Sequence, residues 1–297
     1  MTWKASLNRA LARTTGLELQ RAGASRPAAG GRSARRTPVG KLRKGDRLVQ
    51  APVFVMCTLR SGSTLLRVLL DSHSQIHAPH ELHLRQLSVA MNDKWVEKSM
   101  KEMGFDARGL EHLLWDRILH RELAASGKQL IVDKTPNNVY IADRLLECWP
   151  DARFIFLLRH PAAIARSRMK VKGPDYDEER NVAVIRRYCE ALEDARATHP
   201  GHTVRYEQVT SDPESATRGI CEFLGVPWEP TMLDYGQFDH GRFKVGLGDW
   251  ADKIKTGQIQ PPEPPPEVVP EGLREIAAKW GYLDERAAAS SPSSASH

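Results

Sequence analysis

"VFVMCTLRSGSTLLRVLLDSH", residues 53–73, decides how the chain is read. An apolar run, a polar turn with one glycine, and then Leu65, Leu66, Leu69 and Leu70 at helical spacing give a strand, a tight turn and a helix start in succession. Gly62 lets the backbone turn closely, and the amides from Ser61 to Leu65 open a helix whose positive end favours an anion. This layout holds phosphate. It is not a Walker A loop, because no lysine precedes a Ser or Thr. Arg60 supplies a fixed cation instead, and its planar fork suits a phosphate.

Further apolar runs bounded by turn residues are "LIVD" (130–133), "FIFLL" (154–158) and "HTVRY" (202–206), and they read as strands buried on both faces. Helical stripes alternate with them: Ile141, Leu145 and Trp149 before the third strand, and Ile220, Phe223 and Leu224 near the end. The last helix has Ser211 as its expected cap, Pro213 in its first turn, Glu214 completing S-x-x-E and Gly225 beyond its end. Such alternation predicts an α/β domain with a central, mainly parallel sheet flanked by helices, its ligand beyond the carboxyl ends of the strands. Residues 83–129 read as a mostly helical insertion long enough to roof a site. "PPEPPPEVVP" (261–270) reads as an extended spacer before a short packing helix that stops ahead of Gly281.

A chain of 297 residues with 41% hydrophobic content is long enough for one sizeable core. Its net charge of +6 is uneven, since residues 1–50 carry 12 Lys and Arg against Glu18 and Asp46. We read 1–50 as a basic, largely disordered leader with a short helix, open to weak contact with an acidic membrane surface, and expect no nucleic-acid partner. The folded domain is expected over 51–284 and a disordered tail over 285–297. With no long apolar run and no signal-peptide pattern, the expected location is the cytoplasm. The four cysteines lack C-x-x-C spacing, and His73, His77, His80 and His83 lack the H-E-x-x-H pattern, so no metal is expected.

"RSGSTLL" after an apolar strand resembles the 5′-phosphosulfate-binding loop of sulfotransferases that use 3′-phosphoadenosine-5′-phosphosulfate (PAPS). "FIFLLRHPAAIARS" resembles that family's 3′-phosphate-binding segment, an arginine at a strand end with a serine eight residues on. "VRYEQVTSDPESATRGICEFLGVPW" is similar to its strand, turn and capped helix, and "GLGDW" (246–250) to its late closing loop. In that loop Phe243, Lys244 and Val245 stand where the cytosolic branch has Arg-Lys-Gly. The resemblance spans about residues 50–260, toward the bacterial, carbohydrate and tyrosylprotein branch.

The resemblance implies a P-loop nucleotide-kinase-like three-layer fold, PAPS as co-substrate without a metal, and an acceptor hydroxyl or amine on a small molecule, glycan or lipid. It places Arg60, Ser61, Gly62, Ser63 and Thr64 at the 5′ side, Arg159 and Ser167 at the 3′ phosphate, and Tyr206 and Lys244 as further nucleotide contacts. In "HAPHELHL" it makes Glu81 the general base, with His80 as the second candidate. Lys134 of "IVDKTP" would steady the leaving oxygen together with Arg60. Fixed cations and amides can stabilise a departing phosphate without a metal. The rival reading is a metal-dependent P-loop kinase of a small molecule, which wants an acid at the end of the strand that here closes "LLRH".

Overall fold

The computed structural model describes residues 44–241 and 252–283. The leader before residue 44, the Lys244 loop and the tail from residue 284 lie outside the described residues. In chain order, β1 (Val53–Cys57) leads into α1 (Ser63–Asp71) and β2 (Ile76–His77), and α2 (Lys94–Glu102) and α3 (Ala107–Ser126) precede β3 (Leu130–Asp133). Next come α4 (Ala142–Cys148), β4 (Arg153–Leu158), α5 (Pro161–Lys172), α6 (Glu178–Thr198) and β5 (Gly201–Arg205). The helices α7 (Tyr206–Ser211), α8 (Pro213–Leu224) and α9 (Glu271–Lys279) follow.

Among the described residues the strands form one parallel sheet in the order β2-β3-β1-β4-β5. β1 lies in the middle, pairing Val53 with Val132 on one side and Phe54 with Phe154 on the other. Because the strands run in one direction, the turns after β1, β3 and β4 all leave at the same carboxyl edge. That edge therefore receives Arg60, Lys134 and Arg159, whose sequence positions are far apart.

The pleat of β1 explains why it is buried throughout. Phe54 and Met56 face a cluster that includes Trp115, Trp149, Trp280, Ile185 and Leu273, while Val53, Val55 and Cys57 face Leu66, Leu69, Leu70 and Ile220. Helices thus cover both faces, giving the three-layer α/β architecture expected. Trp115 of the insertion is fully buried in the first cluster, Trp228 packs at the second, and Trp95 on α2 is 66% exposed.

Several local expectations change. Tyr206 does not end β5 but opens α7, so the strand stops one residue earlier than its apolar pattern suggests. Ser211 is the last residue of α7 and is not the cap of the following helix. Asp212, at φ −141°, is outside both helices, and its carboxylate accepts from Ser215 N at 3.1 Å. Gly225 does close α8, in the left-handed conformation at φ 71°. β2 and the 21-residue α6 are additions to the sequence reading.

Candidate active site

At the carboxyl edge of β1 the chain turns through two left-handed residues, Arg60 at φ 61° and Gly62 at φ 83°. For Gly62 the reason is space as well as backbone: a Cβ there would sit 2.1 Å from Cδ2 of Tyr206. The Tyr206 ring therefore lies against the turn, and the Arg159 guanidinium lies over that ring, 4.2 Å from its centroid. Arg159 also donates from Nη1 to the Arg60 carbonyl at 2.8 Å. This bond holds the strained Arg60 backbone, whose conformation is uncommon for a non-glycine residue. Arg60 in turn donates from Nε to Ser167 Oγ at 3.3 Å.

Arg60 and the Arg159–Ser167 motif, read from separate stretches of the sequence, thus meet, with Ser167 hydrogen-bonded to Arg60. Burial, followed by the neighbouring Arg159 charge, pushes the Arg60 guanidinium below its ordinary value, and burial does the same to Arg159. Two desolvated cations lining one cavity favour an anionic ligand. Gly62→Ala is expected to push Tyr206 off Arg159 and destabilise the fold by about 1–3 kcal/mol, read by thermal unfolding.

The hydroxyls divide. Ser63 and Thr64 line the cavity, whereas the buried Ser61 donates its hydroxyl to the Thr58 carbonyl at 2.9 Å and faces inward. Ser63 and Thr64 are the first two residues of α1, where amides have no partner within the helix. Beneath the turn, burial pushes the Cys57 thiol up to about 11, so it stays neutral.

The cavity has a volume of about 320 Å³, within the range of small-ligand sites. Arg60, Gly62, Arg159, Ser167 and Tyr206 line it, and Glu81 and Pro136 form part of its wall. Glu81 is 8% exposed, and its Oε1 accepts from Lys134 Nζ at 2.6 Å. Lys134 is 1% exposed and meets the site through Glu81, being absent from the residues that line the cavity. Glu81 Oε2 lies 3.5 Å from His83 Nε2. His80 is exposed and does not line the cavity. The four histidines of this stretch diverge: His73 Nε2 donates to the Pro227 carbonyl at 2.7 Å, and His77 sits between Asp71 and Glu122. Among the described residues no group of three His, Cys, Asp or Glu side chains is arranged for a metal.

Other lining residues are additions. Arg166 and Lys170 share one face of α5 with Ser167, and Lys170 Nζ lies 2.7 Å from the carboxylate of Glu263. Arg166 lies 3.6 Å from the same carboxylate and donates to the Pro264 carbonyl. Residues 261–265, read as a spacer, therefore run beside α5 at the cavity rim. Tyr235, which also lines the cavity, donates its hydroxyl to the Gln258 carbonyl at 2.9 Å and so holds the segment of Ile254, Gln258 and Gln260 at the lining. None of residues 83–129 lines the cavity. The signal for Arg166 and Lys170 was their spacing around Ser167, whereas a proline-rich composition carries no sign of what it touches.

Residues 52–230, more than half of the chain, match the model of a family described as the sulfotransferase family. The chain belongs to the sulfotransferase family. It is 26% identical over 203 residues to Protein-tyrosine sulfotransferase 1 of Danio rerio, covering 62% of this chain and 55% of that protein. It is 32% identical over 145 residues to Nodulation protein NoeE of Sinorhizobium fredii, covering 44% and 35%. This member spans about half the length, or less, of these relatives. Its fold is that of the solved sulfotransferase domain from the Synechococcus PCC 7002 olefin synthase, at TM-score 0.60 and 21% identity over 80% of this chain and 98% of that one. The three-layer α/β architecture is thus shared with a solved sulfotransferase domain, and the rival kinase reading is not favoured. No helix among the described residues is long and apolar enough to cross a membrane.

Proposed function

We propose that the chain moves a sulfuryl group from PAPS to a hydroxyl or amine of a small-molecule, glycan or lipid acceptor, with residues 51–284 as the transfer domain. One observation carries the reading: Arg60, Ser167 and Arg159 converge on a cavity whose wall also holds Glu81. Two arginines with the hydroxyl residues Ser63, Thr64 and Ser167 on one cavity suit a ligand with two anionic groups.

The donor supplies an activated sulfuryl group. The amides and hydroxyls of Ser63 and Thr64, with Arg60, bind its 5′ side, together with the backbone of Ser61 and Gly62. Arg159 and Ser167 bind the 3′ phosphate, and Tyr206 positions Arg159 beside it; Lys244 is a further contact on the nucleotide. Glu81 takes the proton from the acceptor. Lys134, behind Glu81, supplies positive charge that offsets the negative charge developing on the leaving oxygen, as Arg60 does from the turn. A protein, sugar or metabolite acceptor is compatible with these residues, and the cytoplasm remains the proposed location.

Transfer of radiolabelled sulfate from PAPS to a panel of sugars, phenols, lipid alcohols and tyrosine peptides tests the activity. Binding of adenosine 3′,5′-bisphosphate more tightly than ATP with Mg²⁺ is the expected companion result. The reverse preference, with no sulfate transferred, overturns the reading.

A further inference from the structure

The loop that carries Glu81 has no regular secondary structure from Ala78 to His83. Its aim must therefore come from outside it. Two of its amides, Leu82 N and His83 N, converge on one atom, Thr135 Oγ1, at 3.1 and 3.3 Å. The same hydroxyl donates to Asp133 Oδ1 at 2.8 Å. A hydroxyl has one proton and two lone pairs, so Thr135 is fully engaged and its orientation is set.

Asp133 is held in turn. Its Oδ2 accepts from Asn138 Nδ2 at 2.8 Å, and Leu82 N also lies 3.4 Å from its Oδ1. Asp133 and Thr135 are 1% and 0% exposed, and both sit at the carboxyl end of β3, on the edge next to the turn after β1. Burial pushes the Asp133 carboxyl up, against the hydrogen bonds from Asn138 and Thr135. Between the two, Lys134 sends its ammonium to Glu81 Oε1. Three consecutive residues thus grip the Glu81 loop twice, once by its backbone and once by its carboxylate.

A backbone feature at the same place needs the first grip. His83 adopts φ 51° and ψ 38°, a left-handed conformation that a side chain rarely takes. It persists only where the surroundings over-determine it. The bond from His83 N to Thr135 is such a restraint.

We infer that Thr135, backed by Asp133, is a positioning residue that aims the Glu81 carboxylate at the acceptor proton. The inference rests on Glu81 being the base. It adds that the third residue of "DKT" acts through its hydroxyl and not through its bulk. Misplacement of a reacting group by about 1 Å can cost on the order of 10²-fold in rate.

The test compares the full chain carrying Thr135→Val, which keeps the shape and loses the hydroxyl, with Thr135→Ser, which keeps the hydroxyl. Each is made alone and with Glu81→Gln. Turnover is read as adenosine 3′,5′-bisphosphate released from PAPS with and without the acceptor panel, and binding of that bisphosphate reports an intact nucleotide site. Thr135→Val is expected to lower turnover by about 10²-fold, with bisphosphate affinity within about twofold. Thr135→Ser is expected to recover most of the rate, and Thr135→Val to add little to Glu81→Gln. Equal damage from Val and Ser, a valine variant within about threefold of wild type, or losses that multiply with Glu81→Gln would each overturn the inference. A Glu81→Gln enzyme at full turnover removes the base assignment itself, a result distinct from an intact Thr135→Val enzyme whose turnover still needs Glu81.

Discussion

Glu81→Gln is expected to lower turnover by about 10² to 10⁴-fold, the usual worth of a positioned general base, while adenosine 3′,5′-bisphosphate still binds within about twofold. Glutamine keeps the size of the side chain and an oxygen for Lys134 Nζ, now 2.6 Å from Glu81 Oε1. What it removes is the ability to take a proton. The substitution also leaves Lys134, 1% exposed, without a counter-charge. Breaking a buried ion pair by removing one partner can cost about 3–5 kcal/mol, so thermal unfolding must be measured beside the rate. A folded Glu81→Gln enzyme with full turnover would remove Glu81 as base. His80 would then be a poor substitute, because it is exposed and stands away from the cavity lining.

Arg159→Ala is expected to weaken binding of PAPS and of adenosine 3′,5′-bisphosphate by about 10² to 10³-fold, roughly 3–4 kcal/mol. Calorimetric titration of the bisphosphate measures it. The effect is large because one guanidinium does three things. It offers charge to the cavity, donates to the Arg60 carbonyl and lies on the Tyr206 ring that packs against Gly62. Its loss therefore loosens the turn after β1 as well as the phosphate grip. Unchanged affinity in a folded Arg159→Ala protein would mean that the nucleotide does not use this end of the cavity.

The turn at residues 58–64 was legible because its chemistry is local: a glycine, an arginine and hydroxyls between an apolar strand and a leucine stripe. That Arg159 and Ser167 lie on one strand end and the helix after it was legible for the same reason, but that Ser167 bonds Arg60 was not. Edge strand β2 was not, because two residues make no periodic pattern. Ser61 shows a finer limit. Its residue type suits an anion, but whether the hydroxyl faces the cavity or the Thr58 carbonyl depends on the shape of the turn. Tyr206 was misplaced by one residue because its aromatic ring continues the strand pattern while its backbone already belongs to α7.

Local composition and spacing were enough for the α/β class and for the tight turn after β1 that carries Arg60, whereas Glu81, Lys134 and Arg159 were chosen by resemblance to sulfotransferase motifs. Folding supplied their neighbours. That Lys134 reaches Glu81, that Thr135 holds the Glu81 loop, and that Glu263 meets Lys170 at the rim are contacts between residues 53, 52 to 53 and 93 positions apart. Such contacts arise because parallel strands deliver their following loops to one edge of a sheet, and a linear pattern of residue types does not encode which loops will meet there.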